Sequence, residues 1–364
     1  MKFKFSTTFL IIMMAMFFGA ISGVLTLIII GMSNFKMPFF GNINYNNNPN
    51  SLESKIIIEQ PRNVIVSQDK QLTKIENDLL PTIFNIYHFK KGNEALANVY
   101  SQSEILGRGV SLTADGWFLT TAEVIKDFKS KYSLVGYQNK KYQTEYLIGD
   151  KATGLVFGKI NGAVNLPVIN FGSSNDLTLG QTLVLVSSRN SLDVVTISKI
   201  GYDNNSVSDL ILNSDKLTKR IFLNKKIDQA DEGSILVNFK GEVVGIISNG
   251  SAIPVDYFSK KIAQVLDKKQ ISRPSLGIDY LDLAQVDGLI EIAEKGAYVI
   301  KDPIKGTAIF GLIKKGDIIK KVNDDELNAF LGLAEALNKY QIGNKIDLLV
   351  SRQGKDLIIP VVLK

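Results

Sequence analysis

The chain has no cysteine and only one histidine in its 364 residues. Without a thiol, cysteine-based catalysis is excluded, and a zinc site is not expected because such sites draw mainly on Cys and His ligands. A mechanism that pairs a serine with a histidine would have to use His88, which lies within 83–89, an alternating run typical of a β-strand. We therefore expect no metal and no cofactor, and we expect His88 to be an ordinary strand residue at the edge of a barrel.

Long runs of positive charge are also missing. Lys and Arg number 42 against 36 Asp and Glu, which gives a net charge of +6, and both signs are scattered along the chain. Nucleic acid is not a predicted partner, because nucleic-acid-binding proteins cluster their basic residues. Hydrophobic residues make up 45% of the composition, and the length is sufficient for two globular domains and an anchor.

The amino terminus contains a long apolar stretch. Lys2 and Lys4 precede the uncharged run from Phe9 to Gly31, which at about 1.5 Å per residue can cross a hydrocarbon core of roughly 30 Å. The lysines favour a cytoplasmic tail at 1–8, with the rest of the chain outside the cytoplasm. A cleavable signal peptide is the alternative, because Ala20-Ile21-Ser22 has the spacing of a cleavage site. The apolar run is longer than a signal core, which favours a retained anchor at 9–31.

Local patterns divide the remainder of the chain. Residues 32–69 include an asparagine-rich stretch without apolar periodicity and are predicted to be a flexible linker. Apolar residues at helical spacing predict a short helix over 70–80. From 82 to about 251, short apolar runs separated by Gly, Asn, Asp and Ser predict an all-β barrel or sandwich. Residues 262–266 again show the spacing of a helix.

Three segments resemble motifs of one family. Residues 107–124 are similar to the G-S-G-F-x-I-x-x-D-G-x-I-L-T-x-x-H-V motif of the HtrA/Deg family of trypsin-like serine proteases. Residues 150–160 resemble its D-x-x-x-D-L-A-V-L-K-I motif, and residues 230–238 resemble the Gly-Asn/Asp-Ser-Gly-Gly-Pro-Leu-Val-Asn run that carries the nucleophile. The resemblance implies a mainly β, chymotrypsin-like fold over 70–270, with two packed six-stranded β-barrels and a cleft between them.

The family's three catalytic positions hold other residues in this chain. Glu123 stands in the place of the histidine base, Gly154 in that of the orienting aspartate, and Glu232 in that of the nucleophilic serine. A carboxylate is a weak nucleophile toward an amide and gains nothing from a base. We therefore predict no catalytic residues and a pseudoprotease, an inactive serine protease homologue that is not an enzyme.

Two other chemistries remain open for the same cleft. Glu123 and Glu232 could form an acid–base pair, or Ser234 could serve as a nucleophile with Lys225 or Lys226 as its base. Two carboxylates about 4 Å apart repel by about 4 kcal/mol at an effective dielectric constant of about 20. The pair should therefore share a proton, be neutralised by a lysine, or turn toward water, and we expect it to be inert.

Residues 271–364 resemble a PDZ domain. The run Ser275-Leu276-Gly277-Ile278 is similar to the carboxylate-binding loop of that family, and 311–323 matches its G-L-x-x-G-D-x-I-x-x-V-N motif. A helix is predicted over 329–340, with Phe330 on its apolar face. An extended peptide could add as a strand beside the loop while the loop amides point at its terminal carboxylate. The predicted peptide-binding residues are Ser275, Leu276, Gly277, Ile278, Leu333 and Leu337.

Together these features predict a membrane-anchored, extracytoplasmic pseudoprotease of the HtrA/Deg type. It would bind peptides or the C-termini of unfolded proteins through its PDZ domain, in protein quality control of the cell envelope. The resemblance covers about 70–364 and implies a homotrimer. The alternatives are an active HtrA-like serine endopeptidase and a regulatory subunit of an active homologue.

Overall fold

The computed structural model describes residues 14–16, 18–19, 21–22, 62–92, 98–188, 191–203, 206–286 and 295–364. The chain divides into two compact units, Met1–Gln60 and Pro61–Lys364. Within the described residues, no helix is both long enough and apolar enough to cross a membrane. Most of the predicted anchor at 9–31 and of the predicted linker at 32–69 lies outside the described residues.

A helix leads into the first barrel. It is α1 (Arg62–Leu79), which begins earlier than the predicted start at residue 70. Ile75 and Leu79 are buried in the main apolar core, in keeping with the helical spacing of their positions. A short 3-10 turn, Leu80–Thr82, contains Pro81 and ends the helix, because proline cannot continue the backbone hydrogen-bond pattern.

Six antiparallel strands close the first barrel in the order β1-β2-β3-β6-β5-β4. They are β1 (Ile83–His88), β2 (Gly107–Ser111), β3 (Trp117–Thr121), β4 (Tyr132–Val135), β5 (Lys141–Asp150) and β6 (Leu155–Ile160). His88 lies in a strand, as the pattern over 83–89 predicts; it is the last residue of β1, and its exposed ring stacks on Tyr132. Phe84, Phe118 and Leu134 are fully buried inside this barrel.

The second barrel follows directly. Its strands are β7 (Asn170–Phe171), β8 (Thr182–Ser188), β9 (Ser191–Gly201), β11 (Arg220–Leu223), β12 (Ile235–Val237), β13 (Glu242–Ser248) and β14 (Ser251–Pro254), and β10 (Ile211–Asn213) lies outside it. The order β12-β8-β9-β11-β14-β13 is closed by pairing between β12 and β13, while β7 adds in parallel to β13. The predicted fold of two six-stranded barrels is therefore confirmed. A helix, α2 (Ile262–Lys268), follows the second barrel.

The third sheet has the order β10-β15-β16-β17-β19-β20, with β18 paired to β17. Its other strands are β15 (Asp279–Asp282), β16 (Ala297–Val299), β17 (Ile318–Val322), β18 (Asp325–Glu326), β19 (Lys345–Arg352) and β20 (Lys355–Val362). The first strand of this sheet, β10, comes from the segment between two strands of the second barrel.

The helix of the third sheet, α3 (Leu333–Leu337), is shorter than the predicted 329–340. The Asn328 side chain accepts hydrogen bonds from the backbone N–H groups of Phe330 and Leu331, which holds this stretch in a turn. Gly332 then has an extended backbone, so the helix begins only after it. Phe330, predicted on the apolar face, is 92% exposed.

Candidate functional site

The turn after β3 presents Glu123 to solvent. The backbone N–H of Ala122 donates to the Gly154 carbonyl at 2.8 Å, and the N–H of Val124 donates to Thr121 at 3.1 Å. These two bonds fix the turn, and the Glu123 side chain remains exposed. Gly154 thus contributes its carbonyl group to this region.

The backbone at Gly154 is in the left-handed region, with φ at +80°. Glycine adopts this conformation readily, whereas an L side chain is strained there. A Cβ atom at this position would meet nothing within 4 Å, so the backbone angle alone favours glycine. The nearest carboxylate along the chain is that of Asp150, which is buried and paired with Arg273 at 2.5 Å.

Glu232 lies in a sharp elbow and is only 7% exposed. Its Oε2 accepts a hydrogen bond from the backbone N–H of Asn249 at 3.0 Å, and its Oε1 accepts one from Gly250 at 3.3 Å. Burial raises the pKa of the Glu232 carboxyl above its usual value; the two N–H groups oppose this, and the charges of Glu123 and Asp231 add to it. Hydrogen bonds therefore hold the carboxylate at the turn between β13 and β14, and the charge of Glu123 contributes to its raised pKa.

The backbone of the elbow is fixed between the two barrels. The N–H of Arg108 on β2 donates to the Glu232 carbonyl at 2.6 Å, and the N–H of Gly233 donates to Ile247 on β13 at 2.9 Å. Gly233 has φ at +81°, and a Cβ atom there would lie 2.0 Å from the Arg108 carbonyl oxygen. The elbow therefore requires glycine at 233 for two reasons, its backbone angle and this close approach.

The alternative pair of Ser234 with Lys225 or Lys226 is not assembled in the structure. Ser234 is fully buried, and its Oγ has no hydrogen-bond partner in the described part of the chain. The Lys225 ammonium group pairs with Asp193 at 2.6 Å, and Lys226 is exposed. Among the described residues, no group of three or more His, Asp or Glu side chains is placed to hold a metal ion.

A second site lies at the loop that precedes β15. The backbone N–H groups of Leu276 and Gly277 donate to Oδ1 of Asp215 at 3.0 and 3.1 Å. The Ser275 hydroxyl donates to the other oxygen, Oδ2, at 2.5 Å. Successive backbone N–H groups that converge on one carboxylate form an anion-binding concavity. The loop predicted from the sequence to bind a carboxylate holds one, and that carboxylate belongs to Asp215.

The segment before Asp215 runs along β15 as an added strand. The antiparallel register pairs Ile211 with Leu281 and Asn213 with Asp279. The ladder continues into the loop, because the Ser214 N–H donates to the Ile278 carbonyl at 2.9 Å and the Ile278 N–H donates to the Ser214 hydroxyl at 3.0 Å. Sequence reasoning missed 211–215, because no motif or periodicity marks this segment as a partner of the third sheet.

The apolar side chains predicted to line the peptide site are buried together. Ile278, Leu333 and Leu337 belong to one apolar cluster of the third sheet and its helix, and each is at most 2% exposed. Leu212 of β10, which is 6% exposed, belongs to the same cluster. A side chain of the added strand is therefore already part of the apolar cluster that contains these residues.

Asp282 at the end of β15 is a buried carboxylate with an unusual pKa. Burial raises the pKa of Asp282 to about 6, although the Ala284 N–H, which donates to it at 3.0 Å, and the Lys219 charge oppose the shift. The charge of Glu335 acts in the same direction as burial. The folded protein therefore holds this proton more tightly than the unfolded chain does.

This proton predicts a measurable pH dependence. The stability that protonated Asp282 confers at low pH is lost as the pH rises through about 6. Between about pH 4 and about pH 8, the free energy of unfolding of the wild type should fall by about 2 kcal/mol relative to that of Asp282→Asn. Urea unfolding of both proteins at both pH values measures the difference, with the exposed Asp324→Asn as control. Parallel pH profiles for wild type and Asp282→Asn would contradict this assignment.

Comparison with known proteins identifies related sequences. The family model described as "Trypsin-like peptidase domain" matches residues 107–246. The chain is 27% identical over 278 residues to "Probable serine protease do-like" of Buchnera aphidicola subsp. Acyrthosiphon pisum. This alignment covers 71% of this chain and 56% of that protein. It is 24% identical over 272 residues to "Periplasmic serine endoprotease DegP" of Escherichia coli K12. This alignment covers 71% of this chain and 57% of that protein. The chain thus spans a little over half the length of these curated relatives.

The fold also matches a solved structure. "HtrA-type protease AlgW with decapeptide" superposes with a TM-score of 0.58 at 20% identity, covering 80% of this chain and 98% of that chain. At 20% sequence identity, this similarity is evidence for the fold alone.

These comparisons contradict one sequence-based prediction. The chain was predicted not to be an enzyme because the three catalytic positions are replaced, yet both curated relatives are named as serine proteases. The prediction, which rests on these three positions and on the single histidine, is therefore wrong at the level of the named relatives. The peptidase-domain match and the named relatives identify the chain as similar to serine proteases of the HtrA/Deg family, and its double barrel has the fold of an HtrA-type protease.

Proposed function

We propose that the protein is a membrane-anchored, extracytoplasmic HtrA/Deg protein that binds peptides or the C-termini of unfolded proteins through a PDZ domain at 271–364. Its role would be protein quality control in the cell envelope. In this proposal, 1–8 is a cytoplasmic tail, 9–31 an anchor and 32–69 a linker to the barrels at 70–270, and the protein assembles as a homotrimer. Support for the location comes from the relatives, of which DegP is named as periplasmic.

The observation that carries the peptide-binding proposal is the loop at Ser275–Ile278. Its N–H groups converge on a carboxylate, and the edge of β15 beside it accepts a strand. Strand addition at a sheet edge, combined with capture of a terminal carboxylate, is a common mode of peptide recognition. Gly277, at φ +68°, gives the loop a backbone conformation that glycine favours. The AlgW structure, which has the same fold, is named as a complex with a decapeptide.

We assign the apolar side of the peptide site to Ile278, Leu333 and Leu337. All three belong to the same apolar cluster as Leu212, a side chain of the added strand. A peptide in the same register would place an apolar side chain in that cluster. Ser275 and Leu276 contribute the hydroxyl and the first amide of the carboxylate loop.

In the barrels, we assign Glu123, Gly154 and Glu232 to the places of the family's base, orienting aspartate and nucleophile. Support comes from the turn after β3, which presents Glu123, and from the elbow at Glu232, which is fixed between the two barrels. His88 lies at the end of β1 and stacks on Tyr132. A Ser-His-Asp relay is not assembled from the described residues at these places.

Serine endopeptidase activity is the second candidate function, favoured by the names of the relatives. Ser234 is the serine of the elbow segment, and because it is fully buried, the elbow would have to open for attack. Incubating the full chain, purified in detergent, with casein and a fluorophosphonate probe tests this function. Ser187→Ala is the matched control, since Ser187 is also fully buried with an unpartnered hydroxyl in the described region. Cleavage and labelling lost only in Ser234→Ala would assign the activity to Ser234.

The peptide-binding proposal predicts that a free terminal carboxylate is required. The probe is a fluorescein-labelled peptide with the sequence of residues 208–214 and a free C-terminus, and the control is the same peptide with a C-terminal amide. We expect saturable binding, at least about tenfold stronger for the free carboxylate because charge-assisted hydrogen bonds are lost in the amide. Fluorescence anisotropy with the full chain and with Asp215→Asn measures it. Absence of saturable binding in both proteins would contradict the proposed function.

A further inference from the structure

The strand β10 and the residue that follows it occupy the place of a peptide ligand. We propose that the segment Ile211–Asp215 is an intramolecular ligand that closes the peptide site until an incoming chain terminus displaces it. This inference rests on the proposed function, because it concerns the regulation of the same site. It also defines the class of peptide that can compete.

The carboxylate of Asp215 uses the donors that a chain terminus would need. Two backbone N–H groups, those of Leu276 and Gly277, donate to Oδ1, and the Ser275 hydroxyl donates to Oδ2. These groups cannot serve a second carboxylate at the same time. Occupancy by Asp215 and occupancy by a peptide terminus are therefore mutually exclusive.

The backbone edge is filled in the same way. Ile211, Leu212 and Asn213 pair with β15 in antiparallel register, and the Ser214 N–H donates to Ile278. A strand edge has one row of free N–H and C=O groups, so it can accept only one added strand. A peptide that adds to β15 must first remove β10.

The side chains of the segment indicate what a competing peptide should carry. Ser214 stands beside Ile278 in the place of a terminal residue, and Leu212, two residues earlier, is buried in the apolar cluster. Ile211 on the alternate face is 47% exposed. The ligand class is therefore an extended peptide with a free carboxylate and an apolar residue at the third position from its C-terminus.

The resident segment is short enough to be displaced. Its ladder covers the three residues of β10, and one further backbone hydrogen bond joins Ser214 to Ile278 in the loop. At its carboxyl side, Leu217 is buried in the core that the two barrels share, and its N–H donates to Ala152 at 2.8 Å. Release of 211–215 therefore leaves the chain held at Leu217, and the barrels need not open.

A disulfide lock tests the resident position directly. Asn213 and Asp279 are register partners, and the Asn213 Nδ2 donates to the Asp279 Oδ1 at 2.6 Å. Opposed residues in an antiparallel pair have Cα atoms about 4.5–5.5 Å apart, which suits a disulfide. The chain has no other cysteine, so Asn213→Cys with Asp279→Cys can form only this intramolecular bond. We expect rapid cross-linking on oxidation.

The lock should control peptide binding. With the peptide of residues 208–214 as probe, the oxidised protein should bind at least about tenfold more weakly than the reduced protein. The disulfide lowers the fraction of molecules whose site is open, and the apparent affinity falls in proportion to that fraction. Asp215→Asn removes the resident charge and should bind the probe at least about tenfold more tightly than wild type. The exposed Asp203→Asn, on the same connection, is the matched control and should bind as wild type does.

The outcomes separate this inference from the proposed function. Failure of the cysteine pair to cross-link, or equal probe affinity in the oxidised and reduced proteins, would overturn the resident ligand and leave peptide binding standing. Cross-linking without probe binding in the reduced protein or in Asp215→Asn would instead overturn the proposed function, and with it this inference. Circular dichroism of each variant confirms that the proteins compared are folded.

Discussion

Replacing Arg273 with alanine should lower the free energy of unfolding by about 3–5 kcal/mol. The guanidinium Nη2 pairs with the Asp150 carboxylate at 2.5 Å, and both side chains are largely buried. Nη2 also donates to the carbonyl of Tyr257 at 2.8 Å, and Nη1 donates to Asn338 at the end of α3. One side chain thus joins the first barrel, the second barrel and the third sheet's helix. Its removal leaves a buried carboxylate without its counterion.

Urea unfolding of wild type and Arg273→Ala measures this loss. Lys339→Ala is the matched control, because the pair of Lys339 with Asp325 is partly exposed and should contribute less than about 1 kcal/mol. In a double-mutant cycle with Asp150→Ala, the combined loss should be smaller than the sum of the single losses, since each variant removes the same contact. A loss below about 1 kcal/mol for Arg273→Ala would show that the ion pair does not hold the barrels and the third sheet together.

Gly233→Ala should cost about 2–5 kcal/mol in the free energy of unfolding. The left-handed backbone costs an L residue about 1–2 kcal/mol, and forcing an atom into a filled site typically costs about 1–3 kcal/mol more. The added Cβ would lie 2.0 Å from the Arg108 carbonyl oxygen and 2.8 Å from the Thr120 hydroxyl. Because the first contact is backbone, relief requires the elbow to move away from β2.

Gly154→Ala separates the two causes. Gly154 has φ at +80°, nearly that of Gly233, but a Cβ atom there would meet nothing within 4 Å. It should therefore cost only the backbone part, about 1–2 kcal/mol. Equal losses in the two variants would mean that the elbow is not packed against β2, contrary to the contact with Arg108.

Much of the barrel fold could be predicted from local patterns together with family resemblance. Alternating apolar runs correspond to strands such as β1, and the glycine-rich motif at 107–124 places β2, β3 and the turn at Glu123. These features are local, since a short apolar run bounded by turn residues can be recognised from the residues of the strand itself. The position of Glu232 in the elbow follows from the same kind of motif.

The role of 211–215 could not be predicted. Its partners at 275–281 are distant in the sequence, and no local period distinguishes a strand of the barrel from a strand of the third sheet. Nothing in the sequence around Asp215 marks it as a ligand, and only the fold brings its carboxylate to the backbone N–H groups of the loop. Non-local pairing of this kind depends on topology, which propensity does not encode.

Two other predictions were wrong. Phe330 fitted the apolar period of a helix, but the Asn328 side chain holds the backbone there in a turn, so Phe330 points to solvent. The prediction that the protein is not an enzyme rested on the residues at three positions and on the single histidine, whereas its relatives are named as serine proteases.

The central claim is that the third sheet binds chain termini at the place that 211–215 now fills. Hydrogen–deuterium exchange of the full chain, with and without a saturating concentration of the peptide of residues 208–214, tests it most directly. The account predicts faster exchange over 209–215 while 276–281 stays protected, and no such change with the amidated peptide. Unchanged exchange over 209–215 at saturating peptide, or the same response to both peptides, would contradict the account.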